Sequence, residues 1–217
     1  MNDQAVLRRS VMCQAAAMLL CYPDGTLHQR LPLIENALAE QESAPAQALR
    51  SFCDHVRRTT ELDLGADYVR TFDLKRRRAL HLTYYTDGDT RRRGHALARI
   101  KEIYAACGWR LDPGELPDHL AVVLEFTARG DAAQGMRLLA AFQPGIELLR
   151  AALHDCRSAY APVLDAVAAT LPPSDEARRE ATRMAAAGPP AEDVGLDPYG
   201  SRSAVPLGMP VAMGAER

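Results

Sequence analysis

The sequence predicts an all-α fold, a single compact bundle of roughly eight to ten helices. Three observations lead there. Alanine and leucine dominate while aromatic residues make up only 6% of the chain, a composition that favours helix over sheet. Apolar residues recur at the helical period between proline and glycine breaks. No two segments read as paired strands, and no internal repeat is visible.

The elements follow in order. Leu7, Val11, Ala15 and Met18 keep the helical period, and Tyr22-Pro23-Asp24-Gly25 stops the first helix. A second occupies about residues 26–41. A break or a fresh first turn is expected within it at Pro32, which has no N–H and crowds the carbonyl of His28. Pro45 opens a third helix reaching about Thr60, and Asp63 to Phe72 forms a short fourth. Leu74 to Asp89 reads as a long ordered connection. Thr90 to Cys107 is helical, with an apolar stripe of Leu97, Ile100, Tyr104 and Cys107 and a separate basic face of Arg92, His95 and Arg99. Gly108 ends it.

Asp118 reads as the cap of the next helix. There Leu120 to Phe126 is apolar on nearly every side, Glu125 excepted, which marks a central, buried helix. Asp131 to Phe142 follows. Another helix starts at Pro144 with Ile146, Leu149, Leu153, Cys156 and Tyr160 in line. Two more, about Ala161–Leu171 and from the Ser174 cap to Ala187, complete a domain over residues 1–187. From Gly188 to Arg217 one third of the residues are Gly or Pro, so this tail is expected to be disordered or loosely docked.

A hydrophobic fraction of 47% suffices for a sizeable core. The formal net charge of −2 excludes a polyanion binder acting through its whole surface. Charge is uneven, however: Arg70 to Lys101 holds ten basic and three acidic side chains. Such a field attracts an anionic group and weakens with salt, although a solvated arginine-rich face accounts for the same residues. Five cysteines (Cys13, Cys21, Cys53, Cys107 and Cys156) form no C-x-x-C, and buried structural thiols in a reducing compartment are expected. No apolar run reaches the ~20 residues of a membrane span, and residues 11–20 read as helix, not signal peptide. A cytoplasmic protein is expected.

The search for chemistry returns little. No H-E-x-x-H, zinc spacing, phosphate loop or G-x-S-x-G is present. Neither catalytic nor metal-binding residues are assigned. Asp118-His119 invites an acid–base reading, but neighbours on a helix point ~100° apart, and capping by Asp118 is simpler. The arginine triplets show no helix-turn-helix context for nucleic acid.

The densest signal is YVRTFDLKRRRALHLTYYTDGDTRRRGHAL, from Tyr68, followed by ELPDHLAVVLEF up to Phe126. It resembles the nitrate reductase molybdenum-cofactor assembly chaperones, the NarJ or delta-subunit branch of the TorD/DmsD-type maturation chaperones. Leu82 to Gly94 and Pro117 to Phe126 carry the resemblance, and the organisation is similar from about Arg8 to Leu171. The resemblance implies a TorD-like all-helical protein that is not an enzyme and acts in nitrate reductase assembly and nitrate assimilation. It would bind the unfolded N-terminal segment of the reductase's catalytic (alpha) subunit and promote molybdenum cofactor insertion before membrane docking. It implies no permanently bound cofactor and only transient contact with the client's molybdenum bis-guanine-dinucleotide cofactor. The partners implied are the alpha subunit and proteins of molybdenum cofactor biosynthesis, with the chaperone a monomer or homodimer.

A helical groove that holds a peptide needs an apolar wall and a few polar anchors. Tyr68, Phe72, Tyr84 and Tyr85 are expected to supply the wall, with at least one of the last two exposed in a polar loop. Asp87, Asp118, His119 and Glu125 are the expected anchors, with Phe126 beside them on the signature helix. Phe72 and Phe126 fit the core as well as the groove. Glu125 also fits as a buried group fastening residues 83–89 to that helix. Arg76, Arg77, Arg78, Arg91, Arg92 and Arg93 would rim the opening and draw acidic client residues or cofactor phosphates. Two other readings stand beside this one: a chaperone for a different molybdoenzyme, and a helical nucleotide-binding regulator.

Overall fold

The computed structural model describes residues 3–188 and Pro190. Eleven α-helices lie in this part of the chain: α1 (Asp3–Leu20), α2 (Gly25–Ala39), α3 (Ala44–Arg58), α4 (Glu61–Tyr68), α5 (Leu82–Asp87), α6 (Arg91–Ala106), α7 (Leu120–Arg129), α8 (Ala132–Ala141), α9 (Gln143–Asp155), α10 (Ala161–Thr170) and α11 (Asp175–Ala187). The all-α expectation is met, and no strand occurs among the described residues. The eleventh helix is α5, six residues inside the expected connection. A π turn (Val69–Asp73) continues α4, and a 3₁₀ turn spans Arg76–Arg78.

Side-chain caps start the helices where sequence chemistry calls for them. Asp24, Ser43, Thr60, Asp131 and Ser174 each accept a bond from a backbone N–H two or three residues on. Helix α2 runs unbroken through Pro32, contrary to expectation. Pro32 is exposed, so the bond it forfeits faces water, while Leu27, Leu31, Ile34 and Leu38 pin both halves of the helix to the core. The first-helix stripe also differs. Leu7 is exposed because the first turns of α1 project beyond the core, and burial begins at Met12.

Helix α7 is central, as its apolar circumference requires, and packs along α1 and α8. Helix α10 packs on α1, α3 and α9, and α11 covers α9. The stripe of α9 holds at Ile146, Leu149 and Leu153, but Cys156 is exposed past the helix end. Cys13 and Cys53 are buried, and burial pushes their thiols up to about 11 and about 12. Cys107 is half-buried and Cys21 exposed, so the expectation of five buried thiols fails at Cys21 and Cys156. These two follow or end helices where the chain turns into solvent. The expected character of residues 188–217 lies almost wholly outside the described residues.

Gly135 marks the closest approach of α7 and α8. A Cβ there would sit 2.3 Å from Thr127 Oγ1 and 2.6 Å from Thr127 Cα. Helix propensity alone makes Gly→Ala stabilising by up to about 1 kcal/mol. The steric conflict with backbone opposes it, so Gly135→Ala is expected to destabilise by about 1–3 kcal/mol in urea denaturation. A stabilised variant would mean that the two helices are not in this contact.

Candidate functional site

Two segments distant in sequence meet in one small unit. The Leu82 N–H donates to the Asp118 carbonyl at 3.0 Å, and the Leu120 N–H donates to the Leu80 carbonyl at 2.8 Å. This pair of bonds forms an isolated antiparallel bridge between His81 and His119 and joins the start of α5 to the start of α7. It places the two motifs singled out in the sequence side by side.

Asp118 organises the junction. It is fully buried, and its Oδ2 accepts from the Thr83 N–H at 3.2 Å and from the Thr83 hydroxyl. His81 Nδ1 lies 3.3 Å from Oδ1, and the Arg93 guanidinium stands 3.7 Å from Oδ2 while donating to Thr83 Oγ1 at 3.2 Å. A buried carboxylate persists only when paired and hydrogen-bonded. Burial by itself would raise the Asp118 carboxyl, but bonds from His81 and Thr83, with the charges of His81 and Arg93, hold it below its ordinary value. Asp118 therefore does not cap α7. His119 does, its Nδ1 accepting from the Ala121 N–H at 3.3 Å. Accepting at Nδ1 leaves the neutral ring's proton on Nε2.

The aromatic wall forms on the π turn. Tyr68 ends α4 and Phe72 follows four residues on within the π turn, so the two rings share one side. Their rings lie 5.0 Å apart, and both meet Tyr160, at 6.0 and 4.9 Å. Tyr68 Oη donates to the Leu20 carbonyl at 3.2 Å, which fixes the ring to the end of α1. Tyr84 and Tyr85 are both buried, on helix α5, where an exposed polar loop was expected. Tyr85 points inward, its hydroxyl donating to the Ala79 carbonyl at 2.8 Å and its ring against Gly145.

A pocket of about 300 Å³ opens over this junction. Of the residues expected to bind, Tyr68, Phe72, Tyr84 and His119 line it, together with Arg76 from the expected rim. Sequence reasoning missed Asp73, Ala79, Leu80, His81 and Asp89 in its walls. The signal for His81 was the alternation His81, Thr83, which the bridge turns toward Asp118. The His81 and His119 rings stand 5.2 Å apart, edge to face, as neighbours on the pocket wall. Arg76 and Asp89 face each other at its mouth, 3.5 Å apart.

The other expected site residues lie elsewhere. Phe126 is fully buried, its ring 4.5 Å from Tyr104. Glu125 is partly exposed and pairs with Arg129 at 2.6 Å, so Asp118, and not Glu125, fastens residues 83–89. Asp87 accepts from the Thr86 hydroxyl and is half-buried at the end of α5. The arginine triplets divide: Arg93 turns inward to Asp118 and Arg78 to the Arg70 carbonyl, while Arg76, Arg77, Arg91 and Arg92 stay exposed. A larger pocket of about 440 Å³, between α1, the α2–α3 turn and the end of α10, contains none of the expected residues. No group of three or more His, Cys, Asp or Glu positioned for a metal ion occurs among the described residues, and no described helix is long and apolar enough to cross a membrane.

The junction has a pH signature. Burial, reinforced by the neighbouring charge of His81, lowers His119 from 6.5 to about 4. Between those values the unfolded chain binds a proton that the native chain does not, so stability falls as pH drops from 6.5 to about 4. The loss amounts to at most about 3 kcal/mol. Asp118 acts lower: its contribution is present above the ordinary carboxylate value and disappears as pH falls through its own depressed one. His119→Asn keeps a capping acceptor and is expected to flatten the upper slope only. Denaturation midpoints across the acid range measure this, and an unchanged slope would assign the proton elsewhere.

Comparison with known proteins places this geometry in context. The family described as nitrate reductase delta subunit matches residues 35–166, more than half of the chain. The chain is 38% identical over 160 residues to the nitrate reductase-like protein NarX of Mycobacterium tuberculosis (strain ATCC 25618 / H37Rv), covering 74% of this chain and 24% of that protein. It is 33% identical over 150 residues to the nitrate reductase molybdenum cofactor assembly chaperone NarJ of Escherichia coli (strain K12), covering 68% and 64%. It is 27% identical over 164 residues to the probable NarJ of Bacillus subtilis (strain 168), covering 75% and 89%. The chain thus spans about a quarter of NarX and just under two thirds of the Escherichia coli protein.

Proposed function

The chain belongs to the nitrate reductase delta subunit family, and on that premise we propose that it is an assembly chaperone for a nitrate reductase. It binds the catalytic (alpha) subunit, including its N-terminal segment, and promotes molybdenum cofactor insertion before membrane docking. Its action is binding, not catalysis, and its place is the cytoplasm. The cofactor belongs to the client and is met only in passing. The name printed for the similar Escherichia coli protein, a molybdenum cofactor assembly chaperone, supports the cargo.

The observation that carries the reading is the pocket over the α5–α7 junction. It joins an aromatic wall of Tyr68, Phe72 and Tyr84 to two imidazoles and an Arg76–Asp89 pair at its mouth. A peptide in such a site buries an apolar side chain against the wall and satisfies its backbone on the polar edge.

Calorimetric titration with a peptide from the N-terminus of a nitrate reductase alpha subunit tests this. Saturable binding is expected, with affinity about tenfold weaker in Tyr84→Ala, a difference of about 1.4 kcal/mol. Binding that Tyr84→Ala leaves intact would move the client off this pocket. No binding by the folded protein would remove the N-terminal segment as client.

A further inference from the structure

The isolated bridge does more than join two helices. Its backbone bonds run from Leu82 to Asp118 and from Leu120 to Leu80, so they flank His81 and His119 and leave these two facing each other with no bond between them. In an antiparallel pairing such residues approach most closely, and their side chains stand on one face. That face is the pocket wall: both imidazoles line it, with ring centroids 5.2 Å apart.

What holds one side of each ring decides where its proton lies. His81 Nδ1 is 3.3 Å from the ionised Asp118 carboxylate, which only accepts, so Nδ1 donates and the neutral ring is bare at Nε2. His119 Nδ1 accepts the Ala121 N–H at 3.3 Å, so that ring carries its proton on Nε2. Burial, with the charge of His81, takes His119 down to about 4 and keeps it a neutral donor. Neither Nε2 makes a hydrogen bond among the described residues, and neither is sealed from solvent. The pocket therefore shows an occupant one fixed acceptor and one fixed donor, on neighbouring rings. The Tyr84 hydroxyl in the same wall turns to donate or accept, and so selects neither.

The ligand chemistry follows by complementarity. An ionised carboxylate has no proton for His81, and an ammonium or guanidinium has no lone pair for His119. A residue of extended peptide offers both at once, because its N–H and its C=O point to the same side. We propose that His81 and His119 read one backbone residue of the occupant, His81 Nε2 accepting its N–H and His119 Nε2 donating to its carbonyl. As a reader of the client, the pair rests on the client reading given above; as a reader of a peptide unit, it does not. Side-chain identity drops out of such a contact. The pair fixes where the occupant's backbone lies, while the wall of Tyr68, Phe72 and Tyr84 selects the side chain.

The full chain tests this in two steps. In mildly alkaline buffer, where imidazoles are neutral, long-range proton–nitrogen spectra tell a protonated ring nitrogen from a bare one. His81 is expected with its proton on Nδ1 and His119 with its proton on Nε2, each ring assigned through its own backbone. The same tautomer in both rings would overturn the proposal. The second step titrates N-acetyl-phenylalanine N-methylamide against its ester twin, O-acetyl-phenyllactic acid N-methylamide, which lacks only the N–H that His81 accepts. The amide is expected to shift both imidazoles and to bind about three- to tenfold tighter than the ester, the effect of one hydrogen bond. In His81→Phe that preference should vanish while both probes still bind; a purely structural role would weaken both equally. Equal binding of amide and ester by the wild type, or no shift at either imidazole up to the solubility of the amide, overturns the pair. Propionamide stands in for an Asn or Gln side chain. Were it bound as tightly as the peptide unit, the pair would belong to a side-chain amide, and the backbone assignment would fall. Titration with the client peptide separates the two readings. Amide preference without client binding leaves the pair standing and counts against the client reading; client binding without amide preference does the reverse.

Discussion

Replacing Asp118 with alanine is expected to destabilise the protein by about 3–5 kcal/mol, the range for removing one member of a buried charged pair. The loss has identifiable parts. The Thr83 N–H and hydroxyl lose their acceptor, and both atoms belong to a fully buried residue. The Arg93 guanidinium, only 21% exposed, loses its counter-charge, and His81 loses its anchor. A buried donor left unpaired costs about 1–3 kcal/mol, more when charged. Asp118→Asn keeps an acceptor for Thr83 but not the charge, and is expected to lose roughly half as much. Urea denaturation of the two variants with wild type measures both. A loss below about 1 kcal/mol in Asp118→Ala would show that the junction is held by its two backbone bonds alone.

Tyr85→Ala is expected to cost a comparable amount, about 3–5 kcal/mol, as a large side chain removed from a closed site. The Tyr85 ring lies 3.0–3.2 Å from where a Cβ on Gly145 would be, so α9 and α5 touch at this point with no room to spare. Its hydroxyl satisfies the Ala79 carbonyl. Burial drives the phenol well above its ordinary range, so it stays protonated and keeps donating. Tyr85→Phe preserves the ring and loses only the hydroxyl's bonds to the Ala79 and Arg77 carbonyls, about 1 kcal/mol. Thermal or urea unfolding separates the two, and an alanine variant as stable as the phenylalanine one would place Tyr85 at the surface. Neighbouring residues thus have different surroundings: Tyr84 lines the pocket, whereas Tyr85 packs into the fold.

The helices were legible in the sequence because punctuation and period agreed at most of them. Pro45, Pro144 and Ser174 each stand at a helix start, and the apolar circumference of Leu120 to Phe126 marked the buried centre. Helix α5 was not legible. Its six residues, LTYYTD, are too few to show a period, and tertiary burial of Leu82, Tyr84 and Tyr85 makes it a helix. Pro32 misled for the converse reason: local chemistry called for a break, and four core contacts overrode it. At the pocket, local pattern picked out Tyr68, Phe72, Tyr84 and His119 of its lining, but it gave the α7 cap to Asp118 where His119 supplies it. Whether Asp118 or His119 caps α7 is decided by Thr83, which lies 35 positions away in sequence and which no local pattern connects to it.

The tyrosine–phenylalanine cluster and the α5–α7 bridge fix the order in which a new molecule becomes competent. Translation delivers the N-terminal part first, at roughly 5–20 residues per second. Phe72 emerges well before His119 of the bridge and before Tyr160, against which it packs. For several seconds, therefore, a nascent chain exposes Tyr68, Phe72 and Tyr85 with neither α7 nor α9 to support them. The groove closes into shape only when synthesis has passed Tyr160, near the end of the helical part of the chain. A half-made copy has no finished pocket, so the length of chain already translated acts as the clock that sets when the pocket can form.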